Sequence, residues 1–166
     1  RERKTETLIY QPADTPPSWQ DGAVGGCMVK KTIFRIIKEK RIFEMKNQIL
    51  QEAKNMQEEL TKWRHSLHRI PELGIHLPKT TTFVKERLAE MDIAFTEYGE
   101  CSCITAVLGT GGRCFLLRGD MDGLPMHEES DVSFASENGC MHSCGHDLHT
   151  AILLGAAKLL KRHEHE

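Results

Sequence analysis

The sequence predicts an α/β fold, a mixed sheet with helices packed on it, and three observations predict it. Apolar residues recur at helical spacing from Met45 to Met91. The period then shortens to that of strands between Ile93 and Arg118. The stretch Thr150–Lys161 is apolar on almost every side, as a helix buried against another layer must be.

The first element is a helix that opens at Met45. Ile49, Ala53, Met56, Leu60, Trp63, Leu67 and Ile70 follow at alternating steps of four and three, which sets them on one stripe. Pro71 ends it, because proline restricts the residue before it and brings no N–H donor. A second helix is expected to start in Thr80-Thr81-Thr82, with a threonine hydroxyl capping free backbone N–H groups and Phe83, Val84, Leu88 and Met91 as its apolar face. Ile93–Tyr98 and Cys103–Leu108 read as strands. The turn Gly109-Thr110-Gly111-Gly112 leads to a third, Arg113–Arg118, whose Cys114, Phe115, Leu116 and Leu117 read as a buried run. Two strands joined by a Gly-rich turn predict a hairpin.

Residues 1–44 are expected to be a poorly structured extension, not necessarily native, with 45–166 as the folded part. Pro12, Pro16, Pro17, Gly22, Gly25 and Gly26 punctuate this segment, and Val29–Phe43 mixes lysines and arginines with Ile33, Phe34, Ile36 and Ile37. It holds 9 Lys/Arg and 6 Asp/Glu, whereas the remainder holds 13 and 18.

The whole chain of 166 residues carries a formal charge of -2, a balance that argues against a nucleic-acid binder. No apolar run approaches the ~20 residues of a membrane span, and the first 30 residues show no apolar core of a secretion signal. A cytoplasmic, reducing setting follows as an expectation. The six cysteines accordingly read as thiols rather than as a disulfide framework.

Three segments carry residues suited to chemistry. In Arg118-Gly119-Asp120-Met121-Asp122-Gly123-Leu124-Pro125, two carboxylates lie two apart just beyond an apolar strand, where ligand sites of open α/β sheets lie. An Asp-rich turn with local backbone bonds is the bland alternative. In Met141-His142-Ser143-Cys144-Gly145-His146-Asp147-Leu148-His149, Cys144 and His146 flank a glycine that lets both side chains reach one ion. Thiolate and imidazole suit zinc or another borderline divalent metal. His142 and His149 are nearby donors, and Asp147 is placed to orient an imidazole. A polar loop capping the buried helix explains so dense a cluster less well. In Trp63–Gly74, His65 and His68 stand three apart on a helix, which usually means surface or satisfied core.

Together these segments resemble the amidohydrolase branch of the dinuclear metallopeptidases, the group of hippurate hydrolases, N-acyl-amino-acid amidohydrolases and plant auxin-conjugate hydrolases. The pattern R-H-x-L-H-x-x-P-E-L-G is matched by Arg64–Gly74, L-R-A-D-M-D-A-L-P by Leu117–Pro125, M-H-A-C-G-H-D-x-H-T-A by Met141–Ala151, and L-L-G-A-A by Leu153–Ala157. The order and spacing of the four make the match specific from about Trp63 to Leu160. Gly119, Gly123, Ser143 and Cys140 depart from the pattern, and none is a presumed ligand.

The resemblance implies the N-terminal part of a zinc-peptidase-like catalytic domain. It implies Cys144 and His146 as metal ligands and Asp120 and Asp122 as the catalytic carboxylates beside them, Asp122 orienting rather than attacking. It implies two divalent ions, manganese or zinc, in the full-length enzyme. It also implies a small-molecule amide substrate, no nucleic-acid or membrane partner, and a full-length homodimer. In that family the remaining ligands and a glutamate general base lie downstream, so little hydrolysis is expected of these 166 residues alone. Two competing readings remain. One is a four-thiolate zinc module of Cys101, Cys103, Cys140 and Cys144. The other is an interaction module built on the Met45–Ile70 helix and its basic extension.

Overall fold

The computed structural model describes residues 5–10 and 28–165, with side chains from Ile37 to His165. The element order is β1 (Thr5–Tyr10), α1 (Met28–Asn55), α2 (Gln57–His68), α3 (Pro78–Glu90), β2 (Phe95–Tyr98), β3 (Cys103–Leu108), β4 (Phe115–Asp120) and α4 (His146–Arg162). The described strands form one mixed sheet in the order β2-β3-β1-β4.

The helix expected from Met45 is part of a longer one that breaks once. Met56 is buried at the break, and its N–H is shared between the carbonyls of Glu52 and Ala53, each at 3.2 Å. This shared bond tightens the last turn of α1 before α2 starts. The apolar stripe survives the break: Trp63 and Leu67 of α2 are buried with Leu154, Ala151 and Ala157 of α4. The two helices approach closely at Gly155, where a Cβ atom would lie 2.9 Å from Leu60 Cδ2. The Met45 boundary does not coincide with an element boundary, and Thr5–Tyr10 of the expected extension forms β1. The prolines and glycines between residues 11 and 27 lie outside the described residues.

Capping of α3 differs from the expectation. The helix begins at Pro78, whose fixed φ suits a first turn and which has no N–H to satisfy. The threonine hydroxyls turn backwards, Thr81 Oγ1 donating to Leu77 O and Thr82 Oγ1 to Pro78 O, each at 2.8 Å. The free N–H groups are taken instead by Glu72, which accepts from Lys79 N at 3.2 Å and Thr80 N at 2.9 Å. A carboxylate also complements the positive end of the helix dipole.

Strand β3 shows the alternation of a half-buried strand, with Ile104, Ala106 and Leu108 inward and Val107 outward. The hairpin prediction is corrected. Strands β3 and β4 do not pair, because β1 lies between them, parallel to β3 and antiparallel to β4. The expected buried run of Cys114, Phe115, Leu116 and Leu117 is corrected as well. These residues are exposed, Leu116 by 61 %, in and just before β4 at the edge of the described sheet.

Helix α4 is buried on one broad face and exposed at Leu148 and Ile152. Between β4 and α4, the backbone of Leu124 bonds to that of Met141 in both directions, at 2.8 and 3.0 Å. That bridge closes the neck of a long loop, residues 125–140. No described helix is long and apolar enough to cross a membrane.

Candidate metal centre

The site forms where β4 ends against the first turn of α4. Gly145 is the residue before α4 and has φ 77°, a left-handed conformation that a residue with a Cβ adopts only under strain. It swings the chain from the His142–Cys144 turn into the helix, so that His146 opens α4 facing the strand. Thr150 Oγ1 fastens the two elements, lying 2.9 Å from His146 O and 3.2 Å from Asp120 O.

Of the four residues singled out in the sequence, three meet here. The imidazole Nδ1 of His146 donates to Asp122, at 2.9 Å from Oδ1 and 2.7 Å from the backbone oxygen. A carboxylate in this position fixes the tautomer and ring orientation, and it leaves Nε2 with the free lone pair. Asp120 and His149 lie beside His146. One donor atom from each of Asp120, His146 and His149 lies within 4.8 Å of the other two. Ligands about 2.1 Å from one ion stand at most about 4.2 Å apart, so small side-chain rotations close this set. One carboxylate and two imidazoles suit a borderline divalent cation, so the residues present fit a metal. Arg118 Nη2 contacts Asp120 Oδ1 at 2.9 Å, and a cation would displace this exposed pairing.

Cys144 is exposed on the turn before Gly145 and stands outside the group of three. His149, from the sequence only a nearby donor, joins the group. The signal was its i, i+3 spacing from His146 on a helix, which puts the two on one face; their rings stack at 5.4 Å between centroids. The four-thiolate alternative fails on geometry. Cys101, Cys103, Cys140 and Cys144 form no group within ligand distance among the described residues, and Cys101 lies in the turn after β2.

Behind the site lies a buried network in which the imidazole that Asp147 orients is His68, a pairing with Glu128 and Arg64 that no local spacing reveals. Asp147, with its side chain 0 % exposed, follows His146 directly. Its Oδ2 accepts from Arg64 Nε at 2.7 Å and from His68 Nδ1 at 2.8 Å. The other ring nitrogen of His68 lies 2.9 Å from Glu128 Oε1. Each ring nitrogen of His68 thus lies within hydrogen-bond distance of a carboxylate oxygen. Nearby, His142 is buried with neither ring nitrogen hydrogen-bonded. Burial pushes its pKa below the ordinary value, against the opposing pull of the Asp147 carboxylate.

Glu128 anchors the far end of this network, with its side chain 1 % exposed. Burial alone would raise its pKa. Hydrogen bonds from the Ser130 hydroxyl, the Ser136 N–H and His68, together with the charge on His68, outweigh burial and lower it from 4.5 to about 2. The folded value lies below the unfolded one, so the stabilisation is whole above about 4.5 and is lost as pH falls through 2. Urea unfolding at several pH values between 7 and 2 should therefore show Glu128→Gln less stable than the parent at pH 7 and less sensitive to acid. Parallel pH curves for the two proteins would refute this.

A strand-end carboxylate and two helix imidazoles, one of them oriented by a second carboxylate, form a candidate divalent-metal site in an α/β fold. Residues 116–166 match the model of peptidase family M20/M25/M40. It is 38% identical over 120 residues to the N-acyl-L-amino acid amidohydrolase of Geobacillus stearothermophilus, an alignment covering 70% of this chain and 32% of that one. It is 42% identical over 105 residues to IAA-amino acid hydrolase ILR1-like 5 of Arabidopsis thaliana, covering 62% and 24%. Among solved structures it resembles Bacillus subtilis YxeP, a dinuclear metal-binding peptidase from the M20 family. The TM-score is 0.57 and the identity 30%, over 67% of this chain and 32% of that one. The chain thus spans between about a quarter and a third of the length of these relatives.

Proposed function

We propose that this chain supplies the first half of a divalent-metal centre for hydrolysis of the amide bond in N-acyl amino acids or similar small conjugates. The observation that carries the reading is His146 held by Asp122 with Asp120 and His149 within ligand reach. Asp120, His146 and His149 would hold the cation. Cys144, two residues before His146, offers a thiolate to the same ion or to a neighbouring one. Bound there, manganese or zinc supplies Lewis-acid polarisation of a carbonyl oxygen.

The chain's own residues perform the supporting steps. Asp122 keeps the proton on His146 Nδ1 and so keeps the opposite nitrogen available. Thr150 ties the Asp120 end of β4 to the helix that carries both histidines. A groove of about 460 Å³ runs beside Asp120 and His149, walled by Leu117, Ile152, Leu153 and Ala156, with Arg118 at its edge. Apolar walls with one cation suit an acyl chain and a carboxylate, and the size falls in the ordinary range for small-molecule sites. The names of the amidohydrolase relatives point to the same class of substrate.

The test measures metal stoichiometry and amide cleavage on the full chain, loaded with manganese or with zinc. N-benzoyl- and N-acetyl-amino acids serve as substrates, and Asp122→Asn as comparison. Saturable binding near one ion per chain, weakened in Asp122→Asn, supports the centre. Cleavage that follows metal loading supports the reaction. A chain that retains no divalent metal after loading and desalting sinks the reading.

A further inference from the structure

The residues after the sheet do more than lead to α4. Loop 125–140, closed at its neck by the Leu124–Met141 bridge, reaches α2 at several points. Phe134 stacks on His65 with ring centroids 3.7 Å apart, lies edge-on to His68 at 5.4 Å, and sits under the Arg64 guanidinium at 4.9 Å. Glu128, on the same loop, makes the charged contact with His68. His68 in turn makes the contact with Asp147 on α4. The peptide bond from Asp147 to His146 completes an unbroken path from the loop to the imidazole that Asp122 orients.

The path is built to be rigid. Asp147, His68 and Glu128 have side chains at most 5 % exposed, so no water competes for their bonds. Each oxygen of Glu128 is already committed. Oε1 takes His68 Nε2 at 2.9 Å and the Ser130 hydroxyl, and Oε2 takes the Ser136 N–H at 2.6 Å. An amide in this place would turn an NH2 group toward one of these donors. Satisfying all of them therefore takes a carboxylate.

We propose that Glu128 is a positioning residue for His146, acting through His68 and Asp147. By this path loop 125–140 tunes the metal affinity of a ligand that it does not touch. The proposal rests on His146 being a metal ligand, as argued above. Residues that orient a ligand from behind typically change metal affinity by about 10- to 100-fold when altered. A merely structural Glu128 would lower stability and leave the affinity of the folded protein unchanged.

The full chain is titrated with Co²⁺, followed by its visible absorption, in the parent, Glu128→Gln, Glu128→Ala and Val84→Ala. Val84 is buried on α3, away from the network, and its truncation destabilises without touching the path. In parallel, the ¹⁵N signals of the His146 ring are recorded in each metal-free protein. The expected result is a dissociation constant raised about 10-fold or more in both Glu128 variants, a value within about 2-fold of the parent in Val84→Ala, and a displaced His146 Nδ1 signal in the Glu128 variants alone. An unchanged dissociation constant with an unmoved His146 signal in Glu128→Gln overturns the proposal. If Glu128→Ala does not fold, Glu128→Gln decides. If the parent gives no Co²⁺ spectrum, the ligand reading of His146 fails. The metal-free ring signal then decides alone: displacement in Glu128→Gln upholds the positioning path and an unmoved signal overturns it.

Discussion

Replacing Asp147 by alanine should destabilise the protein by about 3–5 kcal/mol, a large share of the ~5–15 kcal/mol that holds a domain folded. Its Oδ2 is the shared acceptor for Arg64 at 2.7 Å and His68 at 2.8 Å. Without it, Arg64 loses its carboxylate partner and buried His68 keeps only Glu128. Truncating one partner of a buried ionic group costs more than the intact group contributes, because a charge is left behind without compensation. Asp147→Asn should cost less, since an amide oxygen in the place of Oδ2 still accepts both bonds and only the charge is lost. Urea unfolding followed by Trp63 fluorescence measures both. A loss below about 1 kcal/mol in Asp147→Ala would mean that the network is not the rigid support described here.

Replacing His146 by alanine should weaken divalent-metal binding by at least about 100-fold, more than loss of a group that only orients a ligand. His146 is the member of the group that Asp122 holds in place, so its ring requires no ordering when a cation arrives. Asp122→Asn should weaken binding by about 10- to 100-fold, since an amide still accepts one hydrogen bond but lacks the charge. Calorimetric titration with zinc or manganese reads both. Cys144→Ala is the informative companion. Cys144 is exposed and stands outside the group of Asp120, His146 and His149. Its removal should cost less affinity than removal of His146 and should abolish any thiolate-to-cobalt band in the near ultraviolet. Equal losses in the two variants would place the thiol in the same coordination sphere as the imidazole.

Much of the candidate site could be read in the chain because it is local. Cys144, Gly145, His146 and His149 lie within six positions, and Asp120 and Asp122 lie two apart beyond an apolar strand. Periodicity likewise announced α2, α3, β3 and α4, since each buries a stripe or face that one stretch of sequence displays by itself. The cap of α3 was misjudged for a related reason. Three threonines suggest a cap, but Glu72 reaches the helix end from a preceding turn that the local pattern does not describe.

Spacing along one chain was enough to read the α/β class, the family resemblance and the segments that carry the candidate ligands. Tertiary structure alone decided which side chains meet. Glu128, His68, Asp147 and Arg64 join across separations of 60, 79 and 83 residues, and no spacing rule links them. It also decided that β1 would separate β3 from β4 and leave an apolar strand exposed at the edge, because strand order depends on which backbone fills a slot in the sheet rather than on the strand's own residues. The physical reason is the same in each case. Periodicity and capping act over one or two turns of chain, whereas pairing of buried charges and strands is set by the three-dimensional packing that brings distant segments together.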